Sequence, residues 1–479
     1  MNKHRFYILA IIVGVFCAAY FIYVGQLDDC SVASTNQVSY QFPNPELTTY
    51  NMGLYLDINT RTLYGTTIID TINTCGKAMD ELYFTAYPNA FRNKSETPAP
   101  DNAYYCGFNE GWLRIDSIKV NGSKVEYQEE GVLIKTQLPS ALLPDKSIKV
   151  EMAWKAKIPK LAYRYGSKAG VYILGNFYPT LNVLSNGHWQ NSYNFSFANP
   201  FCFHVANYIV NINLPETYNM VSTGTTISIL AEDKGRTIYW VKADKVRDFC
   251  LVVMHDYQES SRQIEGWNIK CYVPSNNIDI SSRVVEQSGQ IVDYYSTTLG
   301  PYPYPDFKVT FVPIKGFHGM RYSGLILLGE EFLNLGYDKQ KKEFIMAREI
   351  AYQWCYTMVG TDQLRESWLG EGLANWLAYK YMQNNLGYSA PDINNQQGVT
   401  LSKQLQESHL SWEYYSTAND GGEAFWFGLE QELGEEMVIK VLRSYLADYK
   451  FKIASTRDLL AIIEKEAHKD MDYYFDKWF

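Results

Sequence analysis

The chain has 479 residues, 46% of them hydrophobic and 20% charged, with 32 glycines and 17 prolines, which excludes a disordered, collagenous or coiled-coil protein. At roughly 150 residues per domain it should hold two or three domains with a sizeable core. Lys and Arg number 43 against 52 Asp and Glu, a formal charge of −9, so the basic footprint that a phosphate backbone requires is missing and nucleic acid is not expected as a partner.

In chain order, residues 6–24 (FYILAIIVGVFCAAYFIYV) come first as an uncharged apolar run, and about 20 such residues span a bilayer. Lys3 and Arg5 precede it and Asp28 and Asp29 follow. The positive-inside rule then predicts a single-pass anchor in the plasma membrane, N-terminus cytoplasmic, with everything beyond it outside. A cleaved signal peptide is the rival reading, because Cys17, Ala18 and Ala19 are small, but the apolar run continues through residues 20–24. The expected division is a tail and anchor at 1–27, a polar linker at 28–37, and two extracytoplasmic domains at 38–258 and 259–479. Seven of the eight cysteines lie beyond the anchor, where disulfides are chemically allowed, and no CxxC pair suggests a structural zinc site.

Segments 50–58 and 63–72 alternate in polarity around Asn59-Thr60-Arg61 and read as a hairpin, and Val120-Asn121-Gly122-Ser123 marks a second. Stretches 132–138, 147–154, 207–213, 238–242 and 250–254 are short, β-branched or aromatic, and bounded by turn residues. The domain at 38–258 therefore reads as an all-β sandwich. From about 283 the period becomes helical, over 282–299, 341–359, 362–385, 422–433, 435–449 and 456–468. The last is opened by Ser455 with Asp458 three residues on, a capping box. The fold class expected is a multidomain α+β protein with a β-sandwich followed by a mainly helical domain, behind one transmembrane helix.

Within 341–359, positions 348 and 352 are four apart and share one helical face, where two side chains could grip a metal. They are Arg348 and Tyr352, with Glu349 between them, and Glu371 follows nineteen residues beyond Tyr352 in WLGEGLANWL. Arginine stays protonated and offers no lone pair, and tyrosine could ligate only as a phenolate. That leaves one good ligand, Glu371, where catalytic zinc takes three from the protein.

These segments resemble the aminopeptidase N family of zinc peptidases, the gluzincin type. The family's HEIAHQW appears as Arg348-Glu349-Ile350-Ala351-Tyr352-Gln353-Trp354, and its WLxEGxA as Trp368-Leu369-Gly370-Glu371-Gly372-Leu373-Ala374. The segment His318-Gly319-Met320-Arg321-Tyr322-Ser323-Gly324-Leu325 is similar to GxMEN-x-G-L, and Tyr474-Phe475-Asp476-Lys477-Trp478 to the family's terminal pattern. The resemblance runs from about residue 38 to the end and implies a β-sandwich followed by a thermolysin-like domain. It also implies a site in which two His and one Glu hold zinc, the Glu of HExxH activates the bound water, the Glu of GxMEN holds the substrate ammonium, and a Tyr steadies the oxyanion. The departures fall on those positions. Glu349 is left as a vestigial general base and Glu371 as the retained ligand. Arg321 stands where the amine-binding Glu belongs, and its charge would repel an N-terminal ammonium. Met320, Arg321 and Tyr322 are expected to form the substrate-binding segment. Asn419 falls at the oxyanion Tyr position, with Tyr414 and Tyr415 close enough to supply one after a short shift. Many members continue into a helical domain that encloses the cleft, whereas this sequence ends at Trp478-Phe479, so a comparatively open groove is expected.

The resulting expectation is a membrane-anchored, extracytoplasmic pseudopeptidase that binds a peptide or protein, with no cofactor. In it the Arg348 guanidinium takes the metal position and pairs with Glu371. One alternative is an active zinc aminopeptidase built on an unusual ligand set such as Glu349, Glu371 and His318. The other is a structural surface protein whose cleft is plugged by Arg348, Tyr352 and Arg321.

Overall fold

The computed structural model describes residues 46–185, 188–191, 199–334, 336–389, 391, 399–408 and 410–479. The expected anchor at 6–24 and linker at 28–37 lie outside them. Among the described residues no helix is long and apolar enough to cross a membrane.

The first hairpin forms where the alternation placed it. Thr49–Asp57 pairs antiparallel with Thr62–Ile72, Asp57 opposite Thr62, and every second residue of Thr49–Asp57 is buried. At the second hairpin Val120 faces Ser123, with Asn121 and Gly122 both at positive φ, the backbone that a two-residue turn joining right-twisted strands requires. Both hairpins belong to an eight-stranded sheet in the order Thr225–Glu232, Arg236–Val246, Ala206–Pro215, Thr49–Asp57, Thr62–Ile72, Ser147–Lys157, Trp112–Val120 and Ser123–Val125. Two four-stranded sheets accompany it. One is built around Val171–Gly175 and Cys250–Met254, the other around Met79–Thr85 and Leu133–Leu142.

A five-stranded sheet begins with Tyr257–Ile264, so the division expected at 258/259 falls inside its first strand. Its order is Tyr257–Ile264, Trp267–Pro274, Asp306–Val312, Leu325–Gly329 and Gly319–Tyr322, which leaves Gly319–Tyr322 at an edge. The helices are Ile278–Leu299, Lys339–Tyr352, Trp368–Leu386, Gly422–Leu433, Glu435–Asp448 and Thr456–Ala467, with one-turn helices between and after them. Thr456–Ala467 opens with the expected capping box. Two boundaries differ most from the periodicity. The helix expected over 341–359 stops at Tyr352 and widens into a π-helical turn, Gln353–Met358. The one expected over 362–385 starts only at Trp368, because Asp362 turns its carboxylate onto the Leu364 amide and the Arg365 guanidinium and holds a separate turn there. The six described cysteines, Cys75, Cys106, Cys202, Cys250, Cys271 and Cys355, are all free thiols.

Two contacts align the elements that carry the motif residues. Gln353 accepts from the Gly324 amide (2.9 Å) and donates to the Tyr322 carbonyl (3.0 Å), tying the end of the Lys339–Tyr352 helix to the edge strand. Gly372 touches Gly422 so closely that a Cβ would sit 2.3 Å from the Gly422 carbonyl carbon, so only glycine lets the two helices meet there.

Candidate functional site

Glu371 sits in the first turn of the Trp368–Leu386 helix and is 5% exposed. Three donors converge on its carboxylate. Arg321 Nη2 reaches Oε1 at 2.6 Å, Arg348 Nη2 reaches Oε2 at 2.7 Å, and the Tyr352 hydroxyl reaches Oε2 at 2.6 Å. Arg348 and Tyr352 come from one face of the Lys339–Tyr352 helix, as their four-residue spacing requires, and Arg321 comes from the edge strand. The Arg321 guanidinium lies 3.9 Å from the centre of the Tyr352 ring and that of Arg348 lies 5.0 Å from it. The expected Arg348–Glu371 pair is therefore present. The second guanidinium, from Arg321, was not foreseen.

Arg348 is held on every side. Nε donates to Asn375 Oδ1 (2.6 Å), Nη2 also to Asn419 Oδ1 (2.8 Å), and Nη1 to Glu349 Oε1 (3.2 Å). Asn375 in turn donates to Glu423 Oε2 at 3.0 Å. Asn375 was missed in the sequence, although it follows Glu371 by four residues on the same helix and so shares its face. Asn419, expected at an oxyanion position, instead takes a hydrogen bond from Arg348.

The electrostatics follow from this packing. Burial alone would push the Glu371 carboxyl up, but Arg321 and Arg348 outweigh it and hold the group below the usual carboxylate range. Burial disfavours the Arg321 charge, but the carboxylates of Glu371 and Glu349 more than offset this and raise its pKa well above the ordinary arginine value. Glu349 is different: burial raises its pKa and the two arginines recover only part of that, while its Oε2 is buried without a partner. Burial also drives the Tyr352 hydroxyl well above its ordinary value, so it stays a phenol and a donor.

Met320, Arg321, Tyr322, Arg348, Glu349, Glu371 and Asn419 all line one cavity of about 520 Å³, together with Tyr414 and Tyr415. The arginines thus fill the position between the two helices without closing the cleft. His318 does not join Glu349 and Glu371 as a ligand set: its Nδ1 lies 3.2 Å from Glu331 Oε1 and its side chain is 45% exposed. Among the described residues, three metal-capable groups come together only at Glu464, Asp470 and Asp472, away from this cleft.

Residues 283–478 match the peptidase family M1 domain. The chain is 25% identical over 305 residues to Aminopeptidase M1-B of rice, Oryza sativa subsp. japonica, a match covering 57% of this chain and 34% of the relative. It is 22% identical over 408 residues to Probable aminopeptidase 1 of Sulfurisphaera tokodaii, covering 77% of this chain and 50% of that protein. Its fold resembles the M1 zinc metallopeptidase of Deinococcus radiodurans with a TM-score of 0.65 at 14% identity, over 90% of this chain and 93% of the other. Residues 283–478 thus form an M1 peptidase domain of the aminopeptidase N-like type. The matched segments span about a third to a half of the length of these two relatives.

This corrects one expectation. A family member without any cofactor does not agree with structural neighbours that are zinc metallopeptidases, so zinc is the group the fold implies. The donors at the matching positions of this M1-like domain do not fit it. Arg348 has no lone pair, Tyr352 stays protonated, and both oxygens of Glu371 are already taken by N–H and O–H donors. With that donor set no water-activating step can be assigned to Glu349.

Proposed function

We propose that this M1-like chain binds peptides in its cleft without hydrolysing them, and that the run at 6–24 anchors it so that the cleft faces the extracytoplasmic side. The observation that carries the reading is the Glu371 carboxylate held by Arg321, Arg348 and Tyr352. Those three donors occupy the functional positions with groups that donate protons and cannot share electron pairs with a metal. Glu349 lacks a partner that would make its water a nucleophile near neutral pH, where unassisted water has a pKa of about 15.7. The cavity of about 520 Å³ supports ligand binding over a fully plugged cleft. The uncharged run and its flanking charges support the anchor.

The test is hydrolysis of a panel of aminoacyl chromogenic substrates by the full chain, with zinc in the buffer, beside Glu349→Gln. The expected result is no turnover above the Glu349→Gln level. Turnover that Glu349→Gln abolishes would refute the reading. Recovery of the full chain in the membrane fraction, with both domains open to external protease, is the expected topology; a fully aqueous chain would refute the anchor.

A further inference from the structure

The polar atoms left over around Arg321 describe a ligand. A guanidinium carries five N–H donors, and among the described residues Arg321 makes one hydrogen bond, through Nη2 to Glu371. Its Nε is buried with no partner, although the side chain is 11% exposed and lines the cavity. Asn419, 6% exposed, uses Oδ1 for Arg348, and its Nδ2 is likewise buried without a partner. Buried donors in folded proteins are nearly always satisfied, so two orphans on side chains that line one cavity call for an acceptor from outside the chain. Glu349, a third side chain lining that cavity, adds one orphan acceptor, its Oε2.

The other carboxylates lining this cavity do not cancel the positive character near Arg321. Glu371 already accepts three hydrogen bonds. Asp248 accepts from the Ser323 amide and hydroxyl and from Tyr356. Asp420 is exposed, where water and salt screen it. Arg321 is also fixed in orientation, stacked on Tyr352 at 3.9 Å and near Tyr356 at 5.2 Å, so little freedom is lost when it binds a planar anion.

Two donors and one acceptor complement one common group: a carboxylate that accepts twice beside an amide N–H that donates once. We propose that the cleft recognises the carboxy-terminal residue of a peptide, with Arg321 and Asn419 donating to its carboxylate and Glu349 Oε2 accepting its amide N–H. This rests on the peptide-binding reading above and gives it a polarity opposite to that of a site for a free amino terminus. The same carboxylate chemistry could come from an acidic side chain within a peptide, and the probes separate the two sources.

The experiment is calorimetric titration of the detergent-solubilised full chain with four probes: N-acetylphenylalanine, N-acetylphenylalanine amide, phenylalanine amide, and N-acetylaspartate α-amide, which keeps only its side-chain carboxylate. The aromatic side chain suits a cavity lined by Phe317, Tyr356 and Tyr415. N-acetylphenylalanine should bind at least tenfold more tightly than the other three. Arg321→Lys and Asn419→Ala should each weaken it at least fivefold with an unchanged circular dichroism spectrum. Phenylalanine amide binding as tightly, without turnover, would overturn the carboxylate assignment and leave peptide binding standing. Equal binding of the aspartate probe would overturn the assignment to a chain terminus. Release of phenylalanine from phenylalanine amide would overturn the non-hydrolytic reading itself, and no binding by any probe would overturn both proposals. If either variant unfolds, the comparison of N-acetylphenylalanine with its amide on the unsubstituted chain still decides the matter.

Discussion

Glu371→Gln isolates the centre of the site. The substitution keeps the side-chain volume, so no cavity term enters, but it removes the charge that two buried guanidiniums share. In the native chain Glu371 accepts at 2.6 and 2.7 Å from Arg321 and Arg348 and at 2.6 Å from Tyr352. An amide in its place can face at most one of the arginines with its oxygen and turns N–H groups toward the other. Breaking a buried ion pair by removing one partner costs about 3–5 kcal/mol, because a charge is left buried and uncompensated. Two charges are left here, partly relieved by Asn375, Asn419 and Glu349 around Arg348, so we expect a loss of about 3–5 kcal/mol at pH 7. Urea unfolding followed by tryptophan fluorescence, on the native and substituted full chains side by side, measures it. The pH dependence supplies a second check. Because the folded-state pKa of Glu371 is depressed, its contribution is complete above the unfolded value near 4.5 and is lost as pH falls through the folded value. The stability gap between the two proteins should therefore narrow in acid. A loss below about 1 kcal/mol at pH 7, or a gap that does not narrow, would refute the account of Glu371 as the shared counter-charge.

Arg348→His with Tyr352→His places two imidazoles four residues apart beside Glu371 and supplies three donors of the kind zinc takes. Metal analysis should show zinc content rising by about one ion per chain over the unsubstituted protein, and no rise would mean that the helix face is not aimed as the structure has it. Asp248 gives a pH effect of opposite sign to Glu371. Burial pushes its carboxyl up to about 6 from 3.8, against the pull of Ser323, Arg247 and Tyr356. A raised carboxyl keeps its proton in the folded chain after the unfolded chain has lost it, so stability falls as pH rises from about 4 to about 6 and is level above that. Asp248→Asn should remove that fall, gaining about 3 kcal/mol on the native chain between pH 4 and pH 7; parallel stability curves for the two proteins would contradict it.

Local pattern determined a great deal of this protein. Alternating polarity located the Thr49–Asp57 and Thr62–Ile72 hairpin, Asn121-Gly122 located a turn, and Ser455 with Asp458 located a helix start, because each depends on residues within a few positions of one another. Spacing along one helix also placed Arg348 and Tyr352 on one face, and the resemblance to the family's motif singled out Glu371 as their counterpart. Where a side chain competes with the backbone, periodicity misled: Asp362 delays the Trp368–Leu386 helix, and the π-helical turn after Tyr352 lets Gln353 reach back to the edge strand.

What the tertiary structure alone decided is who shares the charge. Arg321 reaches Glu371 across 50 positions of sequence and Arg348 reaches Asn419 across 71, and no period or spacing rule connects residues on a sheet edge, two helices and a π-helical turn. Arg321 could be read from sequence as repelling an ammonium. That it holds Glu371 while leaving Nε unpartnered beside the orphaned Asn419 Nδ2 depends on the close contact of Gly372 with Gly422 and on the Gln353 clamp. Secondary structure is set by neighbours along the chain, whereas the partners of a buried charge are set by which surfaces packing brings within about 3 Å of it.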